Sequence, residues 1–75
     1  MSLEVSMQLS ARNQIPATVT GIVEGEATAN IELDACGSRL VASITVEAAR
    51  ELKLAPGTAV VAVIKASDVI LGIPD

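Results

Sequence analysis

Two basic residues stand apart in this sequence. Arg12 and Lys65 are among only five cations in a chain of formal net charge −4. Each sits among small and hydroxyl residues rather than in a run of charge: Ser10-Ala11-Arg12-Asn13-Gln14 and Lys65-Ala66-Ser67-Asp68-Val69. Arg offers a rigid fork of donors suited to an oxyanion, and Lys offers a point charge. Ser10 and Ser67 add hydroxyl donors. A third place, Thr45-Val46-Glu47, reads as the opening of a helix with Thr45 as its N-cap. A helix start carries free N–H groups and the positive end of a dipole. Together these groups could surround a tetrahedral oxyanion from several directions. On pattern alone the opposing reading, that Arg12 and Lys65 merely end strands, stays open.

No other chemistry competes. The chain has no His and a single Cys. Cys36 lies beside Gly37 with no neighbouring base, which reads as an incidental thiol. Glu24 and Glu26 flank a turn, and Glu47 and Glu51 share a helix face, so the carboxylates form a solvated surface. No catalytic constellation results, and the chain is read as a binding protein rather than an enzyme. It lacks a set of direct metal ligands, and an internal disulfide is excluded. Acidic charge and the absence of Phe, Trp and Tyr weigh against nucleic acid, which needs basic residues and stacking platforms. No run is long enough to span a membrane. The first residues, Met1-Ser2-Leu3-Glu4-Val5-Ser6, lack the basic start and apolar block of a signal peptide. A lone Cys fits a reducing compartment, so the expected location is cytoplasmic.

These residues need a frame, and the pattern supplies one. The 75 residues are read as one domain. Residues 1–9 alternate, with Leu3, Val5, Met7 and Leu9 on one face; residues 1–7 are either an N-terminal extension or an edge strand. Ile15-Pro16 is expected to break the run. Strands follow at Ala17–Val23, with Val19, Gly21 and Val23 on one face, then at Ala27–Leu33 and Arg39–Ile44. Gly21 suggests a bulge. Turns are placed at Glu24–Glu26 and Asp34–Ser38. Val46, Ala49 and Leu52 mark a helix, with Lys53 in its last turn and Pro56-Gly57 beyond it. Thr58–Lys65 is apolar on both faces, which implies burial against a barrel interior and a partner. Val69–Ile73 is a short last strand. The order predicts an all-β fold with one short helix: a five-stranded OB-type Greek-key barrel, the helix between its third and fourth strands. A core of Val, Ile, Leu and Ala in so short a chain buries only about 60–65% of the unfolded surface. Oligomerisation is the remaining support.

At this point the residues resemble a family. The opening Ser10-Ala11-Arg12-Asn13-Gln14 precedes Pro16, a Thr-Val-Thr strand and Gly21. Ile44-Thr45 stands before the helix. Leu52-Lys53-Leu54 leads to Pro56-Gly57, and Val63-Ile64-Lys65-Ala66-Ser67-Asp68-Val69 completes the pattern. In order and spacing, over roughly residues 8–72, these are similar to the molybdenum-pterin-binding (Mop, or molbindin) domain, a TOBE-type OB fold. The resemblance implies a cytoplasmic protein that holds molybdate or tungstate as the bare oxyanion, for intracellular storage and homeostasis, with no other cofactor. It also implies a homo-oligomer, a hexamer built as a trimer of dimers, with sites at subunit interfaces. Its binding residues correspond here to Ser10, Arg12, Thr45 and Lys65, with backbone donors at Ala48, Ala66 and Ser67. Ala48 stands where Ser is common, and Ala17 where Gly is usual. A structural or regulatory assembly module with a degenerate anion site is therefore the alternative.

Overall fold

In the computed structural model, residues 12–74 are described. Four strands, all antiparallel, and one short helix account for most of them: β1 (Asn13–Glu24), β2 (Thr28–Ala35), β3 (Ser38–Thr45), α1 (Val46–Glu51) and β4 (Ala59–Ile64). A single turn of 3-10 helix, η1 (Ala66–Asp68), follows β4. The sheet order is β3-β2-β1-β4. The first three strands form a meander, and the chain then crosses through α1 to pair β4 with the far side of β1.

β1 is long because it serves two neighbours in turn. Its first half pairs with β4, from Asn13 opposite Ile64 to Thr18 opposite Ala59. Its second half pairs with β2, from Thr18 opposite Asp34 to Glu24 opposite Ala29. At the changeover the register slips between Val19 and Gly21, so the bulge expected at Gly21 is present. Its effect on the faces was not expected. Thr20 is the extra residue, and beyond it inside and outside exchange: Ile22 packs against the core, while Val23 is 64% exposed. An added residue shifts a period-two pattern by one, which is how a bulge re-aims side chains.

Pro16 does not break the strand. It lies within β1, opposite Val61. Residues 13–17 pair with β4 alone among the described strands, and a one-sided stretch tolerates Pro because its missing N–H can face the open side.

The turns follow local chemistry. Cys36 and Gly37 both have positive φ, 53° and 91°, and join Ala35 to its partner Ser38. That is a two-residue hairpin loop, tighter than the five-residue turn expected, and the mirror-image turn matches the strand twist. The Asp34 carboxylate accepts from the Gly37 N–H at 2.8 Å. Ala55-Pro56-Gly57-Thr58 is a type II turn: Gly57 has φ 95°, and the Thr58 N–H donates to the Ala55 carbonyl at 2.9 Å.

α1 ends earlier than its apolar spacing implied. Leu52 is its C-cap and is 65% exposed. Lys53 lies past the cap with φ 53°, so the basic residue of the last turn is Arg50. The Lys53 N–H donates to Arg50 and the Leu54 N–H to Ala49, at 3.0 and 3.2 Å. This is a Schellman closure with Lys in the left-handed position that Gly usually fills.

The core is Ala17, Val19, Ala29, Ile31, Leu33, Val46 and Ala49. Leu40, Ala42, Ile44, Leu54, Val60 and Ala62 pack partly against it. The expected fifth strand is absent: Val69–Ile73 forms no ladder. Among the described residues four strands therefore make a curved sheet, and they do not close a barrel. The expected strand over residues 1–9 lies outside the described residues.

Replacing Lys53 by Gly removes the left-handed strain at the cost of a more flexible unfolded chain. Lys53→Gly is expected to raise the unfolding free energy by about 0.5–1 kcal/mol in urea denaturation.

Candidate functional site

The β1–β4 register sets the first part of the site. Asn13 is opposite Ile64, so Arg12 and Lys65, each one residue beyond that pair, emerge at the same end of the ladder. Both are exposed. Of the three remaining cations, Lys53 stands alone past the end of α1, and the two arginines are paired. Arg39 pairs with Glu32 diagonally across β2 and β3, its Nε donating to Glu32 Oε1 at 3.0 Å. Arg50 of α1 reaches Glu24 at the end of β1, at 3.1 Å. Among the described residues, neither Arg12 nor Lys65 pairs with a carboxylate. Two like charges are thus set side by side in an acidic chain, an arrangement that favours a shared anion.

Just past Lys65 the backbone turns through η1. The Lys65 carbonyl accepts from the Asp68 N–H at 2.9 Å, and the Ala66 carbonyl from the Val69 N–H at 3.3 Å. The earlier N–H groups, those of Ala66 and Ser67, are the ones that a helical turn leaves without an internal acceptor. They sit beside the Lys65 charge, at the two positions that the family resemblance implies as backbone donors. Ser10 lies outside the described residues.

The second part is the start of α1. Thr45 is its N-cap, as expected, and Thr45 Oγ1 accepts from the Ala48 N–H at 3.0 Å. The Val46 N–H donates to the Ala27 carbonyl at 3.0 Å. Two of the donors at this helix start are therefore engaged within the chain. The Thr45 hydroxyl keeps its own proton to donate, since accepting from Ala48 uses only a lone pair. An anion at this place would share the Ala48 N–H with Thr45 and receive the Thr45 hydroxyl proton.

One chain does not bring the two parts together. Thr45 pairs with Thr28, next to Ala29, which is opposite Glu24 at the far end of β1. Arg12 and Lys65 lie past the Asn13 end. β1 is 12 residues long and separates the two clusters, whereas an oxyanion needs donors within about 3 Å of its oxygens. Local residue pattern carries no sign of this separation, because it depends on register. No group of three or more His, Cys, Asp or Glu that could hold a metal ion occurs among the described residues. No described helix is long and apolar enough to cross a membrane.

The architecture and these donors define a class: a small, mostly β domain of OB-like form that presents cations and backbone N–H groups at the ends of its strands. The family model of the TOBE domain matches residues 9–71. Molybdenum-pterin-binding protein 1 of Clostridium pasteurianum is 36% identical over 66 residues, covering 87% of this chain and 97% of that protein. The solved structure of a molybdate-binding protein from Sporomusa ovata superposes with a TM-score of 0.85 at 40% identity, covering 89% of this chain and all of that one. The cytoplasmic molybdate-binding protein ModG, solved with molybdate bound, superposes with a TM-score of 0.78 at 44% identity over 80% of this chain and 43% of its own. The chain therefore belongs to the TOBE domain family, and within it to the molybdenum-pterin-binding proteins.

Removing the Thr45 hydroxyl should be felt in stability even without ligand. Thr45→Val is expected to lower the unfolding free energy by about 1 kcal/mol, the usual loss of an N-cap. Thr45→Ser should leave it nearly unchanged in the same chemical denaturation.

Proposed function

We propose that this chain binds molybdate, and tungstate as its close analogue, as the bare oxyanion, in a role of storage and homeostasis in the cytoplasm. The observation that carries the reading is the juxtaposition of Arg12 and Lys65 by the β1–β4 register, without a carboxylate partner among the described residues. The molybdate-binding proteins of the same fold and similar sequence support the choice of anion. The role is binding rather than catalysis: the residues gathered here neutralise and orient an anion, and none is placed to transfer a proton or form a bond.

In this reading Arg12, Lys65 and the Ser10 hydroxyl form one half of the site, with the Ala66 and Ser67 N–H groups. Thr45 and the Ala48 N–H form the other. Their separation along β1 supports a site completed between copies of the chain, and with it a homo-oligomer, for which a hexamer is the family's expected form. Residues 1–75 act as one domain, with residues 1–7 as an extension or edge strand. The engagement of the Ala48 N–H by Thr45 favours the second reading to one degree: an assembly module whose anion site is weakened at the helix start.

Isothermal titration with molybdate, tungstate and sulfate tests the proposal. Heat with molybdate and not with sulfate is expected. Arg12→Ala and Lys65→Ala should each weaken binding roughly tenfold to a hundredfold, the loss of one charge-assisted contact, with the circular dichroism unchanged. Absence of heat with both molybdate and tungstate would leave the assembly module. At a hundredfold excess over Kd, molybdate should also add about 2.7 kcal/mol to stability per site.

A further inference from the structure

The turn that presents Lys65 also carries a carboxylate. Asp68 is the third residue of η1, and Lys65 is the N-cap of that turn. The Asp68 N–H donates to the Lys65 carbonyl at 2.9 Å, which fixes the two residues one turn apart. A side chain at the third position of a helical turn is the one that can reach back to the capping residue. Both side chains are exposed. Among the described residues the Asp68 carboxylate accepts no hydrogen bond and meets no cation.

No other described carboxylate is placed in this way. Glu24 and Glu26 lie at and beyond the far end of β1, and Glu47 and Glu51 belong to α1. Glu32 is opposite Gly21 and Asp34 opposite Thr18, midway along β1. Asp68 alone among them stands at the end of the ladder where Arg12 and Lys65 emerge. The two cations differ in what such a neighbour can do to them. Arg presents a rigid planar fork, whereas the Lys ammonium rides on a flexible stem with three donors that turn freely. Lys65 is therefore the cation that can be diverted from an anion.

We propose that Asp68 sets the affinity of the anion site as the internal competitor for the Lys65 ammonium. Without an anion, Lys65 turns to the Asp68 carboxylate for part of the time. An arriving oxyanion draws Lys65 away and leaves Asp68 to water. Binding is weaker by what the internal pair contributes, and an exposed pair contributes little. The outcome is a modest weakening that keeps the anion exchangeable, as a store requires. The inference rests on the oxyanion reading of this end of the molecule.

The test titrates molybdate calorimetrically into the full chain and its variants. Asp68→Asn keeps the size of the side chain and the backbone hydrogen bond of η1. It should tighten binding by about two- to fivefold, the range an exposed ion pair supplies. Asp34→Asn makes the same change of charge midway along β1 and still offers an acceptor to the Gly37 N–H, and it should have a smaller effect. In a Lys65→Ala background, Asp68→Asn should do no more than Asp34→Asn. Equal effects of the two Asn variants, or a gain that persists without the Lys65 amine, overturns the proposal. A second measurement needs no ligand. In the free protein at low salt, the Lys65 Cε–Hε resonances should move on Asp68→Asn while those of Lys53 stay in place. No heat from the unmodified chain with molybdate or tungstate would overturn the oxyanion reading itself. The ligand-free spectra still decide the pairing by themselves: movement at Lys65 supports it, and an unmoved signal overturns it.

Discussion

β1 is the strand on which the rest of the structure depends. It cannot remain in register with β2 and β4 along one flat line, and it bends at Val19–Gly21 instead. Both backbone groups of Val19 are tied at this bend. Its N–H donates to the Thr58 carbonyl at 2.9 Å, and its carbonyl accepts from the Gly57 N–H at 2.8 Å. The type II turn at Pro56-Gly57 therefore closes on the bulge itself. With Val19 only 1% exposed, an unpaired N–H or C=O there would be costly. The curvature that carries β4 around to the Asn13 end follows from this contact, and the Arg12–Lys65 pairing follows from the curvature.

A core without aromatic rings makes that bend more consequential. Val, Ile, Leu and Ala fill it in small increments, and its largest fully buried side chains are Ile31 and Val19. α1 contributes Val46 and Ala49 to the same cluster. Six residues are too few for a helix to hold its shape alone. The Thr45 cap at one end and the closure through Lys53 and Leu54 at the other hold it against the sheet. The salt bridges lie outside this arrangement, on exposed surface, and contribute little to stability.

Much of this was legible in the residues. Thr45 announced the helix start because a hydroxyl before an apolar repeat has one favoured use. Ala29, Ile31 and Leu33 are all buried, as the uninterrupted alternation of the strand expected over Ala27–Leu33 allows. Gly21 marked the bulge, but the residue type does not say which residue is extra, so Val23 was placed on the same face as Val19, which the bulge prevents. Pro16 was misread because the penalty for Pro depends on whether the strand has neighbours on one side or two, which is a tertiary property. Val69–Ile73 has the composition of a strand, but composition does not decide pairing, and the segment joins neither of the open sheet edges at β3 and β4. The meeting of Arg12 with Lys65, and their distance from Thr45, belong to register and lay beyond any reading of local pattern.

The way β1 divides its partners also bears on the order in which the fold is acquired. β1, β2 and β3 are neighbours in sequence joined by short turns, so their meander closes only small loops and can form early. The β1–β4 ladder joins Asn13 to Ile64, close to the two ends of the described chain, and its closure entropy is incurred before its contacts are gained. By loop-closure entropy the docking of β4 onto the first half of β1 is the expected slow step of folding. That step brings Arg12 and Lys65 together. Until it is complete the meander exists without its Arg12–Lys65 cluster, so the proposed anion site is acquired last, and a ligand bound there would slow unfolding by holding the ladder that formed latest.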